Sequence, residues 1–261
     1  MADLPPDIRT DIAHPARVYD YWLGGKDNFA ADRETAEYVL SVTPEMLDAA
    51  RAGRDFLVRS VRFLAESGIR QFLDIGTGLP TSPNVHEVAQ SVHPDARVVY
   101  VDNDPVVFLH AEALMAKDDT TQVIRADMRD VDGVLAQARE VLDFSQPVAL
   151  LFVASLHHLR DEDDPAGVAD RYVEALAPGS YLVLSHATDE FAPERMRQNS
   201  EGAAERGATF IPRGKDAIRA LFSGRELLDP GFVLVSYWRP EGGEPGPNAD
   251  RAWSYGGVAK V

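Results

Sequence analysis

Apolar positions along this chain change their spacing near residue 68. Between residues 44 and 67 they recur at helical spacing, and Gly68 ends that pattern. Beyond it, short apolar runs are separated by helical or loop segments, which is typical of parallel strands with right-handed crossovers. The runs that we predict as parallel strands are RQFLDIG, ARVVYVDND, TQVIRAD, PVALLFVAS and SYLVLSH.

Two further apolar runs follow near the carboxyl end of the sequence. GFVLVSYW and RAWSYGGVAKV are joined by a segment rich in glycine and proline, with little helical character. Such a connection favours an antiparallel hairpin over a crossover. We therefore predict an α/β fold, namely a doubly wound, Rossmann-like sheet of seven strands, with five parallel strands and an antiparallel C-terminal hairpin.

The residues before the first strand carry a different pattern. A short helix is expected from Pro15 to Leu23, a second after Asn28, and a third that begins at Thr43 and Pro44. We predict two parts of the chain, an N-terminal helical arm and lid at 1–67 and a core at 68–261.

Composition and charge narrow the class of partner. The 261 residues have a formal net charge of −16 and include no cysteine. This excess of carboxylates disfavours a nucleic-acid partner, because phosphate contacts need clustered Lys and Arg. The lack of cysteine excludes disulfides and thiolate metal sites, and no apolar run reaches the roughly 20 residues that cross a bilayer. We expect a cytoplasmic protein that acts on a small molecule, without a nucleic acid, a membrane or a metal.

The loop after the first strand, DIGTGLP, indicates the kind of nucleotide. A dinucleotide fingerprint requires Gly-x-Gly-x-x-Gly or Ala. Gly76 and Gly78 satisfy its first two positions, but the third falls on Thr81. That third glycine brings the helix close enough to hold a pyrophosphate, so the loop favours a nucleotide that lacks one.

Three carboxylates near successive strand ends point to S-adenosylmethionine. Asp74 precedes the glycine turn and can attract the ligand's ammonium group. Asp102 ends the second strand, where both carboxylate oxygens can accept hydrogen bonds from the ribose hydroxyls. Asp127 ends the third strand and can accept from the adenine amino group, while Met128 packs on the ring. In such sheets, ligands bind beyond the carboxyl ends of the strands.

The same stretches resemble the successive motifs of a class I S-adenosylmethionine-dependent methyltransferase. More narrowly, ARVYDYWLGGKDNFAADRE and DIGTGLPTSPNVHEVAQ are similar to an actinobacterial S-adenosyl methyltransferase family whose substrates are mostly unassigned, and the likeness spans about 13–261. The resemblance implies the seven-stranded methyltransferase sheet and bound S-adenosylmethionine. The residues that we expect to contact this cofactor are Tyr19, Gly24, Lys26, Asp74, Gly76, Gly78, Asp102, Asn103, Asp127, Met128, Ala154 and Ser155.

Residues 16–34 are interpreted as a lid over the cofactor and the acceptor pocket. Tyr19, Tyr21 or Trp22 would face the sulfonium, where cation–π attraction contributes about 0.5–2 kcal/mol. Gly24 would allow a turn with positive φ, and Lys26 would pair with the methionine carboxylate or with a neighbouring carboxylate. The alternative is that the aromatic residues only pack helices together and that the glycine is a helix C-cap.

The segment ASLHHLRDEDD places His157 and His158 near the cofactor. Each is a candidate general base, and each is alternatively a structural residue packed against the sheet. His186, at the end of the fifth strand, is a weaker candidate. Possible walls of the acceptor pocket are Phe191, Met196 and Phe210.

Three functions remain open at this point. The first is an S-adenosylmethionine-dependent methyltransferase that acts on a small-molecule acceptor by in-line transfer. The second is a non-catalytic protein that binds or senses S-adenosylmethionine, and the third is an NAD-dependent oxidoreductase. An acceptor cavity beside the cofactor would separate an enzyme from a sensor.

Overall fold

The computed structural model describes residues 8–114 and 119–261. Within these residues seven strands form one sheet. The strands are β1 Gln71–Ile75, β2 Arg97–Asp102, β3 Thr121–Arg125, β4 Ala149–Val153, β5 Tyr181–Ala187, β6 Val233–Leu234 and β7 Ser254–Lys260. They follow the order β3-β2-β1-β4-β5-β7-β6, with β1 to β5 parallel and β7 antiparallel to both of its neighbours. The predicted fold class is confirmed.

Helices cover the sheet and precede it. They are α1 Pro15–Trp22, α2 Ala30–Val42, α3 Glu45–Glu66, α4 Val85–Val92, α5 Pro105–Leu114, α6 Val131–Ala138, α7 Pro165–Glu174, α8 Pro193–Glu205 and α9 Lys215–Ala220. None of the helices in the described part of the chain is both long and apolar enough to cross a membrane.

Strand β6 is much shorter than the apolar run that predicts it. Only two residues pair with β7, and Val235–Tyr237 then forms a 3-10 turn. Arg59 on α3 donates to the carbonyls of Val235 and Trp238, at 2.8 and 3.0 Å. The fully buried Trp238 ring packs edge-on against Phe56, with ring centroids 5.5 Å apart. The run is therefore apolar because it packs against α3, and this packing replaces further strand pairing.

Strand residues alternate between two apolar layers, as a doubly wound sheet requires. Phe72 faces the layer built from α3 and α4, where it meets Leu64 of α3. Leu73 and Ile75 face the opposite layer, which is built around α6, α7 and the side chain of Tyr172. Helix α3 thus belongs to the sheet's core, although it precedes the first strand. The division of the chain at 67/68 stays a prediction.

Helices α1, α2 and α8 form a separate group over the carboxyl edge of the sheet. Gly202 of α8 lies so close to Tyr38 of α2 that a Cβ there would overlap the ring. The buried Asp32 carboxylate accepts from the backbone N–H groups of His14 and Phe29, at 2.9 and 2.8 Å. These contacts hold the N-terminal helices in place above the strand ends.

Candidate functional site

A cavity of about 440 Å³ opens where the carboxyl ends of β1 to β4 meet the N-terminal helices. This volume lies within the range of small-molecule sites. Its walls come from the strand ends, from α1, α2 and α3, and from 203–210 at and after the end of α8. The parallel strand direction explains the position, because all carboxyl ends reach the same edge of the sheet.

The turn after β1 brings backbone close to the cavity. Gly76 and Gly78 have φ values of +76° and +69°, which favour glycine. A Cβ on Gly76 would stand 2.5 Å from the Cβ of Ser155, so this position has no room for a side chain. The N–H of Gly78 donates to Asp102 at 2.9 Å and connects the turn to the end of β2.

Asp102 and Asn103 form the next part of the wall. The N–H of Asp104 donates to the second carboxylate oxygen of Asp102 at 3.0 Å, so both oxygens are held in a fixed orientation. Burial raises the pKa of Asp102, and His14 acts in the opposite direction. The ring of His14 contacts Asn103 through Nε2 at 3.1 Å. The start of helix α1 therefore contacts the part of the cavity wall that follows β2.

Asp127 and Met128 line the cavity after β3. Arg129 donates to Asp127 through its backbone N–H and its guanidinium, and this pairing lowers the pKa of the Asp127 carboxyl. Tyr172 donates to the backbone carbonyl of Met128 at 3.0 Å. Asp127 is thus positioned by Arg129, and Met128 by Tyr172 of α7.

The end of β4 supplies a polar group with no partner. Ala154 adopts a φ of +57°, unusual outside glycine, and its N–H approaches the Ser185 Oγ at 3.1 Å. Ser155 is 1% exposed, and its Oγ has no hydrogen-bond partner among the described residues. A buried hydroxyl without a partner costs free energy, so its position on the cavity wall indicates a ligand contact.

Asp74 lies behind the cavity wall. Its carboxylate accepts from Thr77 Oγ1 at 2.8 Å, and burial raises its pKa to about 6. Arg54 of α3 does reach the cavity, and it donates to the backbone carbonyls of Thr81 and Pro83. Its Nε is buried and has no partner within the described chain. The positive charge beside the glycine turn therefore comes from a helix of the core.

The N-terminal segment contributes Tyr19 and Trp22 to the cavity. Burial raises the pKa of Tyr19 to about 12, and its Oη donates to the carbonyl of Ala50 at 2.7 Å. Trp22 donates from its indole N–H to the carbonyl of Ala36 at 3.3 Å. Tyr21 lies outside the lining and donates to Glu37 instead.

The double glycine serves the turn after α1. Gly24 has a φ of +83° and lies outside the cavity lining, as does the exposed Lys26. A Cβ on Gly25 would overlap the Asp20 carboxylate, which accepts from Asn28 at 2.8 Å. This part of the sequence therefore builds a compact loop that joins α1 to α2.

The two adjacent histidines have different surroundings. The buried His157 lies outside the lining, and its Nδ1 accepts from the N–H of Ala187 at 3.3 Å. His158 lines the cavity, and its Nδ1 lies 2.7 Å from the carbonyl oxygen of Thr209. Burial lowers the pKa of both rings, to about 4 for His158.

His186 belongs to a buried network behind these rings. Its Nε2 accepts from Arg213 at 2.8 Å, and burial lowers its pKa to about 3. The same guanidinium donates to the carbonyl of Leu159 and to Asp161, at 2.9 and 2.7 Å. Arg213 thus ties the segment that carries His158 to the end of β5.

The family model for S-adenosyl methyltransferases matches residues 1–261. The chain belongs to this family. A DUF574 family protein from Streptomyces avermitilis is 43% identical to this methyltransferase, with a TM-score of 0.91 over 97% of this chain and 99% of that one. A Thermobifida fusca protein, provisionally named a methyltransferase, is 42% identical, with a TM-score of 0.91 over 100% and 99% of the two chains.

A more distant structure shares the fold. Human N-acetylserotonin methyltransferase, in complex with S-adenosylmethionine, is 15% identical, with a TM-score of 0.51 over 93% of this chain and 61% of that one. No curated protein matches the chain significantly. The cofactor of this S-adenosyl methyltransferase is S-adenosylmethionine. The observed cavity suits it, because it is lined by a glycine turn without a Cβ and by the buried Ser155 hydroxyl, which has no partner in the described part of the chain.

The methyltransferase cavity brings together most of the residues predicted from sequence. Those on its lining are Tyr19, Gly76, Gly78, Asp102, Asn103, Asp127, Met128, Ala154, Ser155 and His158, together with the predicted wall residue Phe210. Those outside it are Gly24, Lys26, Asp74 and His157, together with Phe191 and Met196.

Arg54 was absent from the predicted site, although the sequence carries a signal for it. The buried positions Ala50, Leu57, Val61 and Leu64 mark the inner face of α3. Arg54 follows Ala50 by four residues and precedes Leu57 by three, so it falls on that apolar face. A guanidinium at such a position needs a partner or a ligand.

Proposed function

We propose that this methyltransferase transfers the methyl group of S-adenosylmethionine to a small-molecule acceptor. One observation carries the proposal. A single cavity joins the strand-end residues suited to S-adenosylmethionine to a second part walled by Trp22, Val39 and Phe210. A protein that only senses the cofactor has no need of this second part. The cavity therefore supports an enzyme with a bound acceptor.

The order of strands indicates how the chain would hold the cofactor. Along the sheet edge, β3 lies next to β2, and β2 next to β1. Asp127 and Met128 would hold the adenine, and Asp102 the ribose hydroxyls. The methionine portion would then lie toward β1 and β4, close to Arg54. We assign the methionine carboxylate to Arg54 and not to Lys26, because Lys26 is exposed and lies outside the lining.

The first turn of α4 argues against a dinucleotide. Asn84 accepts from the N–H of Thr81 at 3.0 Å, and Glu87 accepts from the N–H of Asn84 at 2.6 Å. These side chains occupy the helix N-terminus, where a Rossmann fold holds a pyrophosphate. The carboxylate of Glu87 would also repel a phosphate. The site therefore favours S-adenosylmethionine over NAD.

Positioning is the main requirement for the reaction. S-adenosylmethionine supplies an electrophilic methyl group on a good leaving group. The protein would align the acceptor with that methyl group and exclude water, which accounts for much of the rate in such reactions. Tyr19 and Trp22 lie over the strand ends and suit this role.

Calorimetry and a labelled-methyl assay test the proposal together. We expect the full-length protein to bind S-adenosylmethionine and S-adenosylhomocysteine at least tenfold more tightly than NAD. We also expect it to transfer a labelled methyl group to a compound from a small-molecule library. Tighter binding of NAD would contradict the cofactor assignment. Tight cofactor binding without transfer to any library compound would favour a sensor.

A further inference from the structure

The acceptor part of the cavity has a distinct chemical character. Besides the polar side chains of Tyr19, Thr35 and His158, its walls are apolar or aromatic. The apolar and aromatic side chains are Trp22, Val39 and Phe210, which define this part, together with Leu57, Ala203 and Ala208. The charged groups on the lining belong to the cofactor part or to ion pairs, such as Arg129 with Asp127 and Asp163. A charged acceptor would lose its hydration in this part without gaining a partner.

Three polar side chains on the lining donate their polar hydrogens to backbone carbonyls. Tyr19 Oη donates to the carbonyl of Ala50 at 2.7 Å, and Thr35 Oγ1 donates to that of Ala31 at 2.9 Å. His158 Nδ1 lies 2.7 Å from the carbonyl of Thr209. A carbonyl only accepts, so Nδ1 carries the proton and the lone pair on Nε2 makes that atom an acceptor. All three groups can therefore accept a hydrogen bond from a ligand.

The ring of His158 is neutral and is held in one tautomer. Burial disfavours the imidazolium and lowers the pKa, which keeps the ring unprotonated at pH 7 but also makes it a weaker base, and the Thr209 carbonyl fixes the proton on Nδ1. The ring of His157 packs edge-on against that of His158, with ring centroids 4.4 Å apart. Neutral imidazole with a fixed tautomer is the form in which histidine acts as a general base.

We propose that the acceptor is an uncharged aromatic compound methylated on a hydroxyl group, and that His158 Nε2 takes the hydroxyl proton. The proposal rests on the proposed function. The O–H bond breaks as its proton passes to Nε2, and the oxygen forms a bond to the methyl carbon. The carbon–sulfur bond breaks, and its electron pair stays on the sulfur. The imidazolium then returns its proton to water.

Three naphthalenes of matched shape test the acceptor class. Calorimetry with 2-naphthol, 2-naphthoate and 2-naphthylmethylamine uses the full-length protein saturated with S-adenosylhomocysteine. We expect 2-naphthol to bind at least about tenfold more tightly than the anion or the cation, because burying an unpaired charge is costly. Equal or tighter binding of either charged compound, or no binding of 2-naphthol, would overturn the proposal.

Variants of His158 test the role of Nε2. His158→Asn places an amide N–H near the position of Nδ1 but lacks Nε2. We expect it to lower methyl transfer to the 2-naphthol oxygen at pH 7 by about 100-fold or more, with the affinity for S-adenosylhomocysteine unchanged. Raising the pH until the naphthol ionises should restore much of kcat at saturating naphthol, since no base is then needed, although KM should rise because the anion binds less tightly. A packing role would leave kcat low at every pH.

The matched control is His93→Gln. His93 also contacts a backbone carbonyl through a ring nitrogen, that of Ala65 at 2.9 Å, and it lies outside the cavity. We expect this variant to keep the wild-type rate. Transfer by His158→Asn within fivefold of wild type at pH 7 would overturn the role of His158. Failure of S-adenosylhomocysteine to bind wild-type protein would instead refute the proposed function, so the two failures are distinguishable.

Discussion

Arg54 offers the sharpest test of how the cofactor is held. Its guanidinium lies beside the glycine turn, with a buried Nε that has no partner in the described residues. If it pairs with the methionine carboxylate, Arg54→Gln removes one member of a buried, hydrogen-bonded charge pair. Such truncations cost about 2–5 kcal/mol. Arg54 is only partly buried, so we expect about 2–3 kcal/mol, which corresponds to about 30- to 150-fold in the dissociation constant.

A pair of ligands separates the carboxylate contact from a general effect of the substitution. S-adenosylhomocysteine has the carboxylate, whereas 5′-methylthioadenosine lacks the whole amino-acid end. Arg54 also donates to the carbonyls of Thr81 and Pro83, so its loss will loosen that loop for both ligands. We expect Arg54→Gln to weaken the binding of methylthioadenosine by less than about tenfold. A loss of this size corresponds to one or two ordinary hydrogen bonds.

Isothermal titration of both ligands measures the difference directly. Arg54→Lys keeps the charge but loses the planar fork, so we expect an intermediate loss for S-adenosylhomocysteine. Equal losses for the two ligands in Arg54→Gln would refute the carboxylate contact and leave Arg54 as a loop anchor.

Two further predictions concern the glycine turn and the dependence of stability on pH. Gly76→Ala should abolish cofactor binding and lower the free energy of unfolding by more than about 2 kcal/mol, because positive φ and a 2.5 Å contact both oppose a Cβ. Gly24→Ala is the matched control, since the φ of Gly24 is also positive but no described atom lies within 4 Å of the added Cβ. For this variant we expect the free energy of unfolding to fall by only about 1 kcal/mol. Equal losses in urea denaturation would contradict the steric reasoning. The folded-state pKa values of His158 and His186 are about 4 and about 3, below the ordinary 6.5, so the unfolded chain binds more protons as the pH falls below 6.5. Each histidine should remove about 1–2 kcal/mol between pH 7 and pH 5, and Asp74, with its pKa raised to about 6, should return about 1 kcal/mol. His157, whose pKa burial also lowers, adds to this loss, and Asp102, whose pKa burial raises, opposes it. A net loss of about 2 kcal/mol is therefore expected in urea denaturation, and equal or greater stability at pH 5 would refute it.

Local sequence pattern was sufficient for the fold class and for the two carboxylates, Asp102 and Asp127, that line the cavity after β2 and β3. Apolar runs of strand length that alternate with helices are compatible with few folds other than a parallel sheet. Right-handed crossovers then place the carboxyl ends of the strands at one edge of that sheet. Asp102 and Asp127 therefore reach the cavity as a consequence of chain topology. The sequence by itself determined this arrangement.

Side-chain direction in the rest of the site depended on packing between distant segments. Arg54 faces the glycine turn because α3 lies against the sheet, and the tautomer of His158 depends on a carbonyl 51 residues away. Asp74 lies behind the cavity wall and not on its lining. The apolar run that contains β6 leaves the sheet after two residues, and its Trp238 packs against α3. Only the tertiary structure decided these features, because periodicity reports which face of an element is buried but not which distant group covers it.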